Sequence, residues 1–158
     1  MILGKKRRLG RKIENISVGE KLKLTEKIED KDLLLYLGLT NDGNPLYIQH
    51  DFASQTPFKK PIVPTILLTG IITSSTSKYL PGPGSHIIEE HLKFPKPVYH
   101  YATIEFLLEV IEVRKNENEI VIKIDGWDED KDIVVSGCVT VIPPKVIDRL
   151  TADAMDNF

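Results

Sequence analysis

The stretch that most constrains the fold is an apolar run between two proline-containing segments. Residues 65–79 contain no proline, whereas Pro64 precedes them and the sequence Leu80-Pro81-Gly82-Pro83-Gly84 follows. Proline is accepted at the start of a helix but not in its interior, so this arrangement predicts one helix with defined ends. The positions that recur at helical spacing are Ile66, Leu67, Gly70, Ile71, Ser74 and Ser75. The run therefore predicts a buried helix with small residues along part of one face.

A polar loop is predicted upstream of that helix, at Asn41-Asp42-Gly43-Asn44-Pro45. Short polar side chains, glycine and proline favour tight turns over helix or strand. A helix is predicted before the loop, from a cap at Asp30 through Leu39, and a short second helix between Asp51 and Pro57. The apolar face of the first helix is predicted to comprise Leu33, Leu34, Tyr36 and Leu37. The loop thus connects two helical segments.

The chain after the proline-glycine segment is typical of β-structure. Segments rich in Ile, Val, Leu and aromatic residues alternate with polar turns. They span residues 85–94, 99–115, 119–127 and 132–142, and an earlier short strand is predicted over 20–28. In the segment 85–94, alternation places Ile88 and Leu92 on one side and Ile87 on the other. One buried helix followed by consecutive antiparallel strands predicts an α+β architecture in which the sheet wraps around the helix.

The loop and the helix together resemble the MaoC-like (R)-specific enoyl-CoA hydratase and dehydratase family. The signature of that family runs roughly Gly-Asp-x-Asn-Pro-Leu-His, then Phe, then Ile-Val-His-Gly, then Leu-Pro-Gly-x-Gly. The residues that match it are Asp42, Asn44, Pro45, Leu46, Phe58, Ile62, Val63 and the segment 80–84. In two places the chain departs from the signature: Tyr47 replaces the histidine, and Pro64-Thr65 replaces His-Gly. The resemblance covers most of residues 13–143 and implies the hot dog fold, an antiparallel sheet wrapped around one long central helix.

The resemblance also implies a set of catalytic positions. Hydration of an enoyl thioester needs a base for water, an acid for the α-carbon and a donor that stabilises enolate charge. In the family, the loop aspartate and histidine hold the catalytic water, and an amide at the start of the central helix polarises the carbonyl. By position these are Asp42, Tyr47 and the N–H of Thr65, with Asn44 holding the loop or the water. No cofactor is implied, and the four scattered His and single Cys form no recognised metal pattern.

The replacement at Tyr47 leaves the function open between catalysis and binding. A phenol with a pKa of about 10 is a poor base at neutral pH, whereas an imidazole with a pKa of about 6.5 exchanges protons readily. The first hypothesis is a hydro-lyase of weakened activity on a coenzyme A or acyl-carrier-protein thioester. The second is a non-catalytic acyl-thioester-binding or structural subunit, in which Asp42 and Asn44 only form a turn. The third and weakest is a nucleic-acid-associated regulator that uses the basic residues 5–12.

An acyl chain is predicted to lie along the central helix, where small side chains leave room. The contact residues would be Gly70, Thr73 and Ser74, and Pro64 would fix the backbone before the carbonyl-binding amide. Other candidate acid–base residues are His50 and Asp51, interpreted as helix-capping residues, and His86 and Glu90, interpreted as rim or interface residues.

The domain organisation is predicted to be simple. The 158 residues suffice for one core. Residues 13–143 form it, residues 1–12 are interpreted as a basic solvated arm, and residues 144–158 as a short helical tail. The net charge of −2 implies no general attraction to nucleic acid or to an anionic membrane, and no apolar segment suits a signal peptide or a spanning helix. We therefore expect a cytoplasmic protein, which the resemblance and an exposed sheet edge predict to be a homodimer.

Overall fold

The computed structural model describes residues 9–145, which are built around a five-stranded antiparallel sheet. The strands are β1 (Lys21–Lys27), β2 (His86–Lys93), β3 (Thr103–Arg114), β4 (Glu119–Trp127) and β5 (Ile133–Ile142). Their order across the sheet is β1-β3-β4-β5-β2. Strands β3 to β5 are consecutive in the chain and adjacent in the sheet, whereas β1 and β2 form its two edges.

The helices lie in the chain between the two edge strands. They are α1 (Asp30–Thr40), α2 (Pro45–Ile48), α3 (His50–Ser54) and α4 (Thr65–Lys78), and a 3-10 turn at Ile13–Asn15 precedes β1. The long helix α4 begins directly after Pro64 and ends before Leu80-Pro81, as the proline pattern predicted. The predicted α+β architecture, an antiparallel sheet with one central helix, is confirmed.

One face of α4 packs against the sheet and forms the core with it. Leu68 and Ile72 are no more than 2% exposed. Ser75 is also buried, and its Oγ donates a hydrogen bond to the carbonyl oxygen of Ile71 at 2.7 Å, so the hydroxyl is satisfied. The sheet residues in this core include Ile104, Phe106, Leu108, Val110, Ile120, Ile122, Ile124, Val139 and Val141. Every second residue of β3 from Ile104 to Val110 is buried, which is the alternation expected of a half-buried strand.

The simple alternation predicted for β2 is wrong at its start. Ile87 and Leu92 both pack against the core, although alternation placed them on opposite sides. The pairing of β2 with β5 shifts in register between Ile87 and Glu89. Such a bulge inserts an extra residue and reverses the side that later residues face. Ile88, at the bulge, is 45% exposed.

The predicted cap of α1 is also wrong by one position. Asp30 is the first helical residue, and Glu29 precedes the helix with its N–H donating to Asp32 Oδ2 at 2.8 Å. Leu33, Tyr36 and Leu37 are half-buried as predicted, but Leu34 is 67% exposed. The helix ends at Thr40, and the C-cap residue Asn41, whose φ of 54° is left-handed, turns the chain into the polar loop.

Residues near both ends of the described chain contact the proline-glycine segment. The N–H of Gly10 donates to the Pro83 carbonyl at 2.8 Å, and the N–H of Arg11 donates to the Pro81 carbonyl at 2.9 Å. A Cβ at Gly84 would lie 2.9 Å from Pro144 Cβ. The last residues of the predicted basic arm are therefore attached to the domain. Residues 1–8 and 146–158, which include most of the predicted helical tail, lie outside the described residues.

Candidate active site

Asp42 lies in the loop between α1 and α2, and both of its carboxylate oxygens accept hydrogen bonds. Tyr36 Oη donates to Asp42 Oδ2 at 2.5 Å, and the backbone N–H of Asn44 donates to Oδ1 at 3.1 Å. The carboxylate is half-buried and held from two directions. Because a carboxylate can accept about four hydrogen bonds, it keeps the capacity to bind a water molecule or a ligand.

Asn44 shapes this loop through its side chain. Its Oδ1 accepts the N–H of Leu46 at 3.0 Å, which caps α2, and Pro45 occupies the first helical position. The carbonyl oxygen of Asn44 accepts the N–H of Tyr47, also at 3.0 Å. Of the two roles predicted for Asn44, holding the loop and holding the water, the structure shows the first.

Tyr47, at the position of the family histidine, lies beside Tyr36. Their ring centroids are 6.4 Å apart and the ring planes make an angle of 78°, an edge-to-face arrangement. In the part of the chain that the structure describes, the hydroxyls of Tyr36, Tyr99 and Tyr101 donate to protein acceptors, whereas that of Tyr47 does not. The Tyr47 hydroxyl therefore has no protein acceptor among residues 9–145.

Pro64 and Thr65 lie at the start of α4. Pro64 is buried, and Thr65 is exposed as the first helical residue. The N–H groups of a first helical turn have no acceptor within the helix, and they favour negative charge. The N–H of Ile62, just before this turn, donates to the Leu46 carbonyl at 3.2 Å. A backbone contact therefore connects the segment that follows the Asp42 loop to the segment that leads into α4.

A cavity of about 780 Å³ runs along α4 on the side that faces α1. Gly70 and Ser74 line it from α4, and Tyr36 lines it from α1. A Cβ added at Gly70 would meet no atom within 4 Å. The apolar residues of the lining are Leu24, Ile28, Leu35, Leu39, Ile66, Leu67 and Ile71, and the charged ones are Glu26, Lys27, Glu29, Lys31, Asp32 and Lys78. The volume and the apolar lining suit a small organic ligand.

Thr73 does not line this cavity, although the sequence grouped it with Gly70 and Ser74. It lines a second groove of about 510 Å³ with residues of β2, including His86 and Glu90. Successive residues of an α-helix are about 100° apart around its axis, so Thr73 and Ser74 face different grooves. His86 and Glu90 accordingly lie in the groove at the sheet edge.

His50 and Asp51 are the first residues of α3, and neither is its N-cap, which is Gln49. The interpretation of the pair as capping residues is therefore wrong. The carboxylate of Asp51 nevertheless lies in the first turn, where negative charge is favoured. Within residues 9–145, no group of three or more His, Cys, Asp or Glu side chains could hold a metal ion.

Tyr36 is the residue of this site that sequence reasoning missed, because it was assigned only to the apolar face of α1. The hydrogen bond to Asp42, together with burial, raises the pKa of Tyr36 above its ordinary value. A tyrosine on the helix that precedes the aspartate was the available signal. Its significance depends on the left-handed backbone at Asn41, which turns Asp42 back toward the helix, and helical spacing does not reveal that turn.

Comparisons with known proteins identify the family of the chain and agree with the fold. The family profile described as "MaoC like domain" matches residues 13–127. The chain is 36% identical over 85 residues to an (R)-specific enoyl-CoA hydratase of Rhodospirillum rubrum, and the match covers 54% of this chain and 59% of that relative. It is 25% identical over 134 residues to a mitochondrial 3-hydroxyacyl-[acyl-carrier-protein] dehydratase of Solanum lycopersicum, covering 84% and 80% respectively.

A solved structure extends the similarity to three dimensions. The unliganded R-hydratase PhaJ1 from Pseudomonas aeruginosa superimposes with a TM-score of 0.79 at 26% sequence identity. The superposition covers 87% of this chain and 88% of that one. The predicted hot dog fold is confirmed by this match.

Proposed function

The chain belongs to the MaoC-like domain family, and on that premise we propose that it is a hydratase or dehydratase of acyl thioesters. The reaction would interconvert a trans-2-enoyl thioester and water with an (R)-3-hydroxyacyl thioester. The observation that carries the proposal is the Asp42 carboxylate, which two hydrogen bonds orient. The segment after its loop contacts the segment before α4 through the hydrogen bond from the Ile62 N–H to the Leu46 carbonyl. Relatives named for coenzyme A and for acyl-carrier-protein substrates support a thioester of either carrier.

Each step of this reaction can be assigned to a residue. Asp42 would accept a proton from water as the water oxygen adds to C3 of the enoyl group. The electron pair of the double bond would move toward the thioester carbonyl, where the N–H of Thr65 would stabilise the negative charge on oxygen. The protonated Asp42 carboxyl would then deliver this proton to the α-carbon, which restores the thioester carbonyl and returns Asp42 to its ionised form. Tyr47 would donate a hydrogen bond to the water or the substrate.

The phenol of Tyr47 would make the reaction slow. A general acid–base group contributes about 10²–10⁴-fold to a rate, and a phenol is a poorer base at neutral pH than the imidazole that it replaces. Wild-type protein is therefore expected to hydrate a short trans-2-enoyl-CoA slowly. The acyl chain would occupy the cavity beside Gly70 and Ser74, while the thioester lies toward Pro64 and Thr65.

The test compares wild type with Tyr47→His and Asp42→Asn in a spectrophotometric hydration assay with crotonyl-CoA. Tyr47→His is expected to raise kcat about 10-fold or more, because it introduces a group that exchanges protons at neutral pH. Adding Asp42→Asn to that variant should abolish the gain and leave binding intact, because the amide keeps the shape but accepts no proton. Fast wild-type turnover that is unchanged by Asp42→Asn would reject this site.

A second candidate is a non-catalytic subunit that binds acyl thioesters. The replacement of the histidine by Tyr47 and of His-Gly by Pro64-Thr65 favours it. Calorimetric binding of acyl-CoA by a wild type and a Tyr47→His variant that are both inactive would establish this function instead. The predicted nucleic-acid regulator ranks last, because the net charge of the chain is −2.

We further propose that the protein is a homodimer. Strand β2 pairs with β5 on one side only and forms an edge of the sheet, and an unpaired edge is available for another strand. A second copy would cover it and Ile88. No helix among residues 9–145 is long and apolar enough to cross a membrane. The cytoplasmic location stays a prediction, which cell fractionation would check.

A further inference from the structure

We propose that Tyr36 is a positioning residue of this site, whose phenol holds the carboxylate of Asp42 in the orientation that water addition requires. This inference rests on the proposed hydratase or dehydratase function. Tyr36 lies outside the residues that matched the family signature.

Two hydrogen bonds from different parts of the structure hold the Asp42 carboxylate. Tyr36 Oη reaches Oδ2 from the body of α1 at 2.5 Å, and the Asn44 N–H reaches Oδ1 from the loop at 3.1 Å. A hydrogen bond to an ionised acceptor is about twice as strong as a neutral one. The carboxylate cannot rotate without breaking both bonds. The bond to Tyr36 is the one that fixes its orientation relative to a helix.

Tyr36 is itself held in place by its neighbours. Its ring packs edge-to-face with Tyr47, and its carbonyl oxygen accepts Thr40 Oγ1 at 2.8 Å. The same Thr40 oxygen accepts the N–H of Asp42 at 3.3 Å. Tyr36, Thr40 and Asp42 therefore form a closed set of contacts at the end of α1. A displacement of the Tyr36 ring would be transmitted to both Asp42 and Tyr47.

Tyr36 lies between the cavity and the Asp42 loop. Tyr36 is among the residues that line the cavity of about 780 Å³, whereas Asp42 and Tyr47 are not. Its side chain therefore connects the space proposed for the acyl chain with the carboxylate proposed to activate water. A side chain in this position would align Asp42 relative to a bound substrate, which matters because a misplacement of about 1 Å can lower a rate about 10²-fold.

The protonation of Tyr36 agrees with a positioning role. The hydrogen bond to Asp42 is the main cause of its raised pKa. The phenol therefore stays protonated and donates to the carboxylate throughout the neutral pH range. A group that keeps its proton holds Asp42 in place and does not itself exchange protons with the substrate.

The kinetic test is Tyr36→Phe, which removes the hydroxyl and keeps the ring. This substitution is introduced into wild type and into the Tyr47→His variant, because the faster turnover expected of Tyr47→His makes a loss of rate measurable. We expect kcat for crotonyl-CoA to fall about 10-fold to 100-fold, whereas KM changes less than about threefold, because binding contacts of the ring persist.

Tyr101→Phe is a matched control for that variant. Tyr101 Oη donates to Asp30 Oδ2, also at 2.5 Å, but this bond lies at the opposite end of α1. Losing it should leave kcat unchanged. Equal losses of kcat in Tyr36→Phe and Tyr101→Phe would overturn the proposal, because they would indicate a general effect on α1.

A second measurement tests the contact without relying on turnover. The tyrosine ring carbons are labelled with ¹³C, and the titration of Tyr36 is followed by NMR in wild type and in Asp42→Asn. The pKa of Tyr36 should fall toward its ordinary value in Asp42→Asn, and the titration of Tyr101 should not change. An unchanged titration of Tyr36 would overturn the proposal.

The kinetic test and the NMR titration distinguish a failure of the positioning role from a failure of the proposed function. A protein that hydrates crotonyl-CoA through Asp42 but is insensitive to Tyr36→Phe would overturn the positioning role alone. A protein with the expected Tyr36 titration but no turnover in any variant would overturn the proposed function, and the positioning role in catalysis with it.

Discussion

The two sides of α4 differ sharply, although the same 14 residues form both. On the side facing the sheet, Ile72 is 0% exposed, whereas Ile66 on the other side is 51% exposed. The sheet side is covered by residues of β3, β4 and β5. The other side faces a cavity. One helix therefore supplies the core with one surface and leaves the other surface available to a ligand.

The difference arises because α1 does not pack closely against the cavity side of α4, which we call the open side. None of the residues of α1 is buried, and Leu35 and Leu39 are 71% and 87% exposed. Helix α1 therefore lies beside α4 but forms no buried interface with it. Apolar side chains that a soluble protein leaves exposed around a groove commonly mark a binding surface. We therefore expect substitutions on the sheet side to change stability, and substitutions on the open side to change binding.

The largest expected effect is on stability, when an isoleucine on the sheet side of α4 and one on its cavity side are each truncated to alanine. Ile72→Ala should lower the free energy of unfolding by about 2–5 kcal/mol, because it leaves a cavity in the packed core. Ile66→Ala should lower it by less than about 1 kcal/mol, because that side chain is half exposed and alanine favours helix. Urea denaturation followed by circular dichroism measures both values. Similar losses in the two variants would show that the open side is packed in solution.

A smaller effect, on ligand binding, is expected from a bulky side chain that fills the cavity. Gly70→Leu should weaken the binding of a long acyl-CoA about 10-fold, which corresponds to about 1.4 kcal/mol, and should weaken a short one much less. The protein should keep its stability or gain some, since leucine is a better helix former than glycine. Gly38→Leu on α1 is the control, because Gly38 also has free space around it but does not line the cavity.

Calorimetric titration of Gly70→Leu and Gly38→Leu with butyryl-CoA and decanoyl-CoA would measure the affinity for a short and a long acyl chain. If Gly70→Leu weakens both ligands equally, the acyl chain does not run past Gly70.

The smallest effect on stability is expected at the second groove, beside β2. Ile88→Lys should change the free energy of unfolding by no more than about 0.5 kcal/mol, because Ile88 is 45% exposed at a bulge. It should nevertheless weaken association, since charges protect a free sheet edge from pairing. Light scattering should give twice the chain mass for wild type at micromolar concentration and a lower average mass for Ile88→Lys. A monomeric wild type would contradict the proposed homodimer.

The fold could largely be predicted from the sequence because its signals are local. Pro64 and the segment 80–84 define the ends of α4 without any knowledge of its neighbours. The strand segments are likewise marked by composition and turns. Alternation failed at Ile87, because a bulge depends on the partner strand β5. It also does not indicate that Leu34 is left exposed, which depends on where α1 stands relative to α4.

The site could be predicted only in part. The resemblance located Asp42, Asn44, Tyr47 and the start of α4, because these residues follow a fixed order in the chain. It could not locate Tyr36, whose contact with Asp42 is created by the turn at Asn41. Helical spacing separates Thr73 and Ser74 by about 100° around the axis, but it could not show which groove each of them lines. Contacts that depend on the direction of a side chain require the assembled structure.

The contacts of the proline-glycine segment determine how this domain could be joined to others. A Cβ at Gly84 would lie 2.9 Å from Pro144 Cβ and 3.7 Å from Leu9 Cδ2, so both ends of the described chain meet at one corner. A linker of a few residues could therefore connect residue 145 to residue 9 without disturbing the pairing of the strands. A reporter fused directly to residue 9 or to residue 145 would leave the fold from the same corner.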